Sequence, residues 1–315
     1  MNLINILKNI VKKEEKQMDF NKLATEWLMQ KKIRIKESTY SKYEYVINRY
    51  LLPKLKNMDL EELQKYNFNE LVSEYMENLS TKSIRDIICI LKGILYYAND
   101  EYSCNFKIKR ITSPKLNIEN IVIMSKREKS RLENYCLKEN TLKSIGIVIC
   151  LNTGLRIGEI CALRWENINL DKRTLSVKNT LQRIYENKSK STKVIIDVPK
   201  TRKSIREIPI SNKLYELLKP LKKKYKDKDF FLTGNSEKYI EPRNYQFYFK
   251  STLKKCKMKP YKFHQLRHFF ATECIEVGMD VKTLSVILGH SSVDVTLNRY
   301  VHTDLKKQKK YLERL

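Results

Sequence analysis

Phe263-His264-Gln265-Leu266-Arg267-His268, followed by Leu288-Gly289-His290 and Arg299-Tyr300-Val301-His302, is the stretch on which the reading of this chain turns. All four histidines of the protein fall inside it. A chain with 63 Lys and Arg does not need imidazole for charge, so the pattern points to hydrogen-bond or proton chemistry near neutral pH. Arg267 adds a planar fork of donors that matches phosphate oxygens. Tyr300 adds an oxygen nucleophile. The combination suits chemistry on a phosphodiester.

Charge supports that direction. With 63 Lys and Arg against 36 Asp and Glu in 315 residues, the formal charge is +27, and the basic residues are spread along the chain. Such a field favours an extended polyanion, with nucleic acid as the first candidate and an anionic membrane surface as its rival. No apolar run reaches the ~18 residues that a membrane span needs. Residues 1–17 interleave Leu3, Ile6, Leu7 and Val11 with Asn2, Asn5, Lys8 and Asn9 and offer no small-residue cleavage site. They read as an N-terminal helical extension, not a signal peptide. The seven cysteines are odd in number and never form Cys-x-x-Cys, as expected of reduced thiols in a cytoplasmic protein.

Residues 18–107 are helical in pattern. Phe20, Leu23, Ala24, Trp27 and Leu28 form one apolar stripe; Phe68, Leu71, Val72, Tyr75 and Met76 a second; Ile84, Ile87, Ile88, Leu91 and Leu95 a third. Ser38 is the expected N-cap of a helix carrying Tyr40, Tyr43, Ile47 and Tyr50 that stops at Pro53, and Ser80 or Thr81 caps the third stripe. The expected product is a compact bundle with Lys42, Arg49, Lys82, Arg85 and Lys92 on its outer faces. Residues 108–119, basic and containing Pro114, read as a linker.

Residues 120–315 form the second domain. Helices are expected over 125–136 and 142–151, closed by the stop signal Asn152-Thr153-Gly154. Arg156 then opens a short helix, where backbone N–H groups favour an anion, and Glu159 lies three residues on along the same face. Strand patterns follow at 174–177, 194–198 and 207–210, which predicts a small antiparallel sheet with Lys200 on a hairpin turn. Helices resume over 213–224 and 245–255. The fold class is mainly α with a small antiparallel sheet, α+β.

Cutting a nucleic-acid strand without a metal needs donors for the charge that grows on the non-bridging oxygens, a nucleophile, and an acid for the leaving hydroxyl. Arginine, tyrosine and lysine or histidine supply these. Taken singly, each residue has an ordinary structural explanation. His264 and His268 are spaced as metal ligands, but Gln265 supplies no general base and no third ligand is evident, so no metal is assigned. A nucleotide cofactor is not expected either, because the chain lacks a Gly-x-x-x-x-Gly-Lys-Ser/Thr loop.

Taken together, in order, the motifs are specific. Thr153-Gly154-Leu155-Arg156-Ile157-Gly158-Glu159, Pro199-Lys200-Thr201 with Arg206-Glu207-Ile208-Pro209-Ile210, His264-Gln265-Leu266-Arg267-His268, Leu288-Gly289-His290 and Tyr300-Val301-His302 closely resemble the catalytic domain of the tyrosine recombinases, the phage-integrase family. The bundle before them resembles that family's core-binding domain. The resemblance implies a site-specific DNA recombinase that works through a 3′-phosphotyrosyl intermediate without metal or nucleotide. It implies that Arg156 and Arg267 clamp the scissile phosphate, that His264 and His290 hydrogen-bond its oxygens or the attacking phenol, and that Lys200 protonates the 5′-hydroxyl. Tyr300 would attack phosphorus, and Glu159 would orient Arg156 or a histidine. Implied partners are double-stranded DNA core sites and three further copies of the chain, a homotetramer. With 17 residues ahead of the bundle, a complete arm-binding domain is not expected. Two other readings stand beside this one: a type IB topoisomerase, which shares the chemistry, and a non-catalytic DNA-binding regulator on the same fold.

Overall fold

The computed structural model describes residues 18–115, 124–186, 189, 191–197, 204–290, 292–300 and 313, without the side chains of 295 and 298–300. The extension 1–17, Lys200, His302 and nearly all of the tail after Tyr300 therefore lie outside the described residues. Contacts divide the chain into two units, Met1–Asn120 with Ile184–Lys193, and Ile121–Arg183 with Val194–Leu315.

In the first unit, helices α1 (Phe20–Lys32), α2 (Glu37–Val46), α3 (Leu52–Leu55), α4 (Leu60–Lys65), α5 (Phe68–Asn78) and α6 (Thr81–Glu101) enclose one apolar core. The three apolar stripes line it, with Phe20, Leu23, Leu71, Ile84, Leu91 and Leu95 buried, except that Met76 of the second stripe is exposed. Ser80 caps α6 by accepting from the Ser83 amide, as expected. Two details of α2 differ. The helix begins two residues early, at Glu37, with Lys36 as its N-cap and no side-chain cap hydrogen bond, so Ser38 lies inside the first turn. Pro53 also does not stop the chain. A π-helical turn over Ile47–Leu51 passes the helix on to α3, where proline is in the first turn and has no amide bond to lose. The segment read as a linker starts inside the core, since Ile108 and Ile111 are buried there.

The second unit opens with α7 (Lys126–Glu139) and α8 (Leu142–Thr153), each entered through a capping box, Ser125 with Glu128 and Thr141 with Ser144. Helix α8 is buried along nearly its whole length and ends at Gly154, in the left-handed region at φ 66°. Helix α9 (Ile157–Ala162) follows. Beyond the strands come α10 (Asn212–Lys222), α11 (Pro242–Lys255), α12 (His264–Glu276), α13 (Val281–Leu288) and α14 (Val293–Tyr300).

The strands correct the expected single sheet. β1 (Ile168–Asn169), β2 (Thr174–Val177) and β5 (Arg206–Pro209) form one antiparallel sheet, with Leu175 opposite Ile208 and Val177 opposite Arg206. β3 (Thr180–Glu186) and β4 (Ser191–Asp197) form a separate pair. β3 went unread because its buried residues, Leu181 and Ile184, are three apart and break the alternation that marks a half-buried strand. β5 pairs with β2 and not with β4, and the turn expected at Lys200 lies outside the described residues.

Candidate active site at the C-terminal end of α13

Helix α13 ends in Leu288-Gly289-His290 as a Schellman motif. Gly289 adopts φ 65°, its amide donates to Val286 O at 3.0 Å, and the His290 amide donates to Ser285 O at 3.1 Å. These two bonds fix the backbone of His290. They leave the carbonyls of Ile287, Leu288 and Gly289 pointing onward, where the helix dipole adds partial negative charge.

Three arginines fill that end. Arg206 Nε donates to Ile287 O at 2.6 Å, Arg267 Nη2 to Leu288 O at 2.7 Å, and Arg156 Nη2 to Gly289 O at 3.1 Å. Each comes from a different element, β5, α12 and the N-cap of α9. Arg267 also donates through Nη1 to Gly154 O at 3.0 Å, which ties the ends of α8 and α13 to one buried guanidinium. Because Arg156 and Arg267 dock on adjacent carbonyls, the two forks stand side by side.

Glu159 is the counter-charge. It accepts from Arg156 Nη1 at 2.7 Å and from Arg206 at 2.9 and 3.1 Å, and it is buried with Arg206. Burial alone would raise its carboxyl. The Arg206 hydrogen bonds and the charges of Arg206 and Arg156 outweigh that and hold it below its ordinary value of 4.5. Glu159 also accepts from the Arg156 amide at 2.9 Å, so this donor of the α9 terminus is directed to a protein carboxylate, not outward as expected. One carboxylate among three guanidiniums leaves positive charge to spare, the condition for holding a phosphate.

The histidines divide by exposure. His264 is exposed, and with Arg156 it lines a cavity of about 410 Å³ whose other walls include Gly158, Arg183, Arg243 and Phe263. His268 is buried, its ring 4.6 Å from that of His264. His290 is buried at the α13 turn, with Nδ1 2.7 Å from Thr296 Oγ1 on α14. Of the expected site residues, Arg156, Glu159, Arg267 and His290 thus meet at one helix end, and His264 shares the adjoining cavity. Lys200 and the Tyr300 side chain lie outside the described residues, although the backbone of Tyr300 closes α14. Arg206 and Thr296 carried no assigned role. Arg206 stood within a quoted motif, but its tie to Glu159 spans 47 residues and has no local signal.

Residues 114–307 match the model of the phage integrase family, and residues 19–76 match that of its N-terminal SAM-like domain. The chain belongs to the phage integrase family. As a tyrosine recombinase it is an enzyme that cleaves and rejoins DNA in site-specific recombination. Among similar proteins, a tyrosine recombinase XerC-like protein of Caldanaerobacter subterraneus subsp. tengcongensis is 28% identical, over 99% of this chain and 86% of the relative. The ICEBs1 integrase of Bacillus subtilis is 24% identical over 96% and 84%. Two solved structures share the fold. The Tn1549 transposon integrase, in complex with transposon right-end DNA, superposes with a TM-score of 0.74 at 23% identity, over 95% of this chain and 99% of that one. A lambda integrase dimer bound to a COC′ core site gives 0.66 at 16% identity, over 91% and 98%. The recombinase has no helix among its described residues that is long and apolar enough to cross a membrane.

Proposed function

We propose that this recombinase cuts each strand of its duplex at the α13 end, with Tyr300 as the nucleophile. The phenol oxygen attacks phosphorus, the P–O bond to the 5′ oxygen breaks, and the products are a 3′-phosphotyrosyl link and a free 5′-hydroxyl. Arg156 and Arg267 hold the non-bridging oxygens as charge grows on them, and Glu159 holds Arg156. His264 and His290 donate to the same oxygens or to the phenol, and Lys200 gives the leaving oxygen its proton. An ordinary tyrosine has a pKa of about 10 and attacks poorly at neutral pH. Two guanidiniums at one spot favour both the phenolate and the phosphorane. Because the link is itself a phosphodiester, the 5′-hydroxyl of another strand reverses the step with no nucleotide consumed.

The observation that carries this reading is the pair of arginine forks docked on the Leu288 and Gly289 carbonyls, immediately before His290 and a helix that closes on Tyr300. Double-stranded core sites as substrate, a homotetramer as the working assembly and a cytoplasmic location complete the proposal. It is tested with a library of nicked duplexes randomised across the core, in which the fragment beyond the cut diffuses away. Wild-type protein is expected to yield a covalent adduct that survives denaturant, and Tyr300→Phe none. An adduct of equal yield in Tyr300→Phe overturns the assignment.

A further inference from the structure

We propose that Thr296 is a positioning residue that sets the tautomer of His290 and couples that ring to the helix ending at Tyr300, an inference that rests on the roles just given to both residues. Helical threonines usually turn their hydroxyl back to the carbonyl four residues earlier. Thr25, Thr153 and Thr252 do so here, at 2.7, 2.7 and 3.0 Å. Thr296 does not. Its fully buried hydroxyl lies 2.7 Å from His290 Nδ1, and among the described residues this is its only hydrogen-bond partner.

A hydroxyl hidden from water has one proton to place, and leaving it unmatched costs about 1–3 kcal/mol. The proton therefore goes to Nδ1. That nitrogen accepts only when the neutral ring carries its hydrogen on Nε2. His290 is thereby fixed as an Nε2–H donor, the form that serves a phosphate oxygen.

The restraint on the ring is separate from the one on the backbone. The Schellman turn of α13 fixes where His290 starts, and α14 fixes how its imidazole is turned and protonated. Thr296 precedes Tyr300 by one turn of α14. A shift of that helix along its axis moves the hydroxyl away from Nδ1 as it moves the nucleophile, so the histidine donor and the tyrosine keep register together.

The experiment uses full-length protein labelled with ¹⁵N at histidine. With four histidines in the chain, His290→Asn assigns the ring by loss of its signals. Imidazole nitrogen shifts above the titration range are expected to show the Nε2–H tautomer in wild type, a mixed or Nδ1–H ring in Thr296→Val, and the wild-type pattern in Thr296→Ser. On the nicked-duplex library, Thr296→Val is expected to slow adduct formation on the order of tenfold at saturating DNA, less than outright removal of an oxyanion donor does. Half-saturation by DNA should stay unchanged, and Thr296→Ser should recover most of the rate. An Nδ1–H ring in wild type overturns the proposal without recourse to any variant, as does a Thr296→Val ring that keeps the wild-type tautomer. If His290→Asn forms adduct at the wild-type rate, the role of His290 fails, and the catalytic half of this inference fails with it even where the tautomer result stands.

Discussion

At the scale of single residues, the decisive group is Glu159, a buried carboxylate shared by Arg156 and Arg206. Removing one member of a buried ion pair strands the other. Arg206→Met is expected to lose about 3 kcal/mol of stability, and the double change Glu159→Gln with Arg206→Met to recover most of it, both read from urea unfolding. Strand cleavage should stay low in the double change, where Arg156 has lost its charged support, and fall less in Arg206→Met, where Glu159 still accepts from Arg156. The same carboxylate sets an acid limit. Its pKa is depressed in the folded state, so its stabilising contribution is complete above the unfolded value and disappears as pH falls through the folded one. Urea midpoints should drop below pH ~4.5, and Glu159→Gln should drop less. Arg156 and Glu159 were legible in the sequence because one short helix start carries both. Arg206 and Thr296 gained their roles only through contacts that the turn at Gly289 and the pairing of β5 with β2 bring about.

At the scale of elements, Gly289 occupies a position with two demands. It sits at φ 65°, and a Cβ there would lie 2.9 Å from Arg206 Cδ. Gly289→Ala should cost about 1–2 kcal/mol for the left-handed backbone alone. It should cut cleavage further than that loss of stability accounts for, since it displaces the Arg206 side chain; thermal unfolding and adduct formation measured on the same sample separate the two effects. Most helices were readable, because a stripe of period 3.6 and a cap residue are both local. The exceptions have physical causes. Lys36 displaced Ser38 as cap although it makes no side-chain cap hydrogen bond, and the π-turn over Ile47–Leu51 let the chain continue through Pro53. Which strands pair depends on distant partners, so the division into two sheets left no mark on the strands themselves.

For the whole molecule, a formal charge of +27 makes its encounter with DNA a matter of counterion release. Affinity for random duplex, read by fluorescence anisotropy, should fall by roughly 10³-fold or more between about 50 and 200 mM salt. A flat response would mean that the basic faces do not meet phosphate. Sedimentation with a four-way junction should give four protomers per junction, and a persistent complex of one would contradict the proposed assembly. The arginine-filled end of α13 bears on this too. Flexible cationic chains usually surrender on the order of 2 kcal/mol of rotamer freedom apiece when they seize a ligand. In Arg156 and Arg267 folding has already exacted that loss, before any DNA arrives. On the roles proposed for these two arginines, the grip on the reacting phosphate is preorganised and indifferent to the bases on either side, so the choice of target falls to side chains elsewhere on the protein.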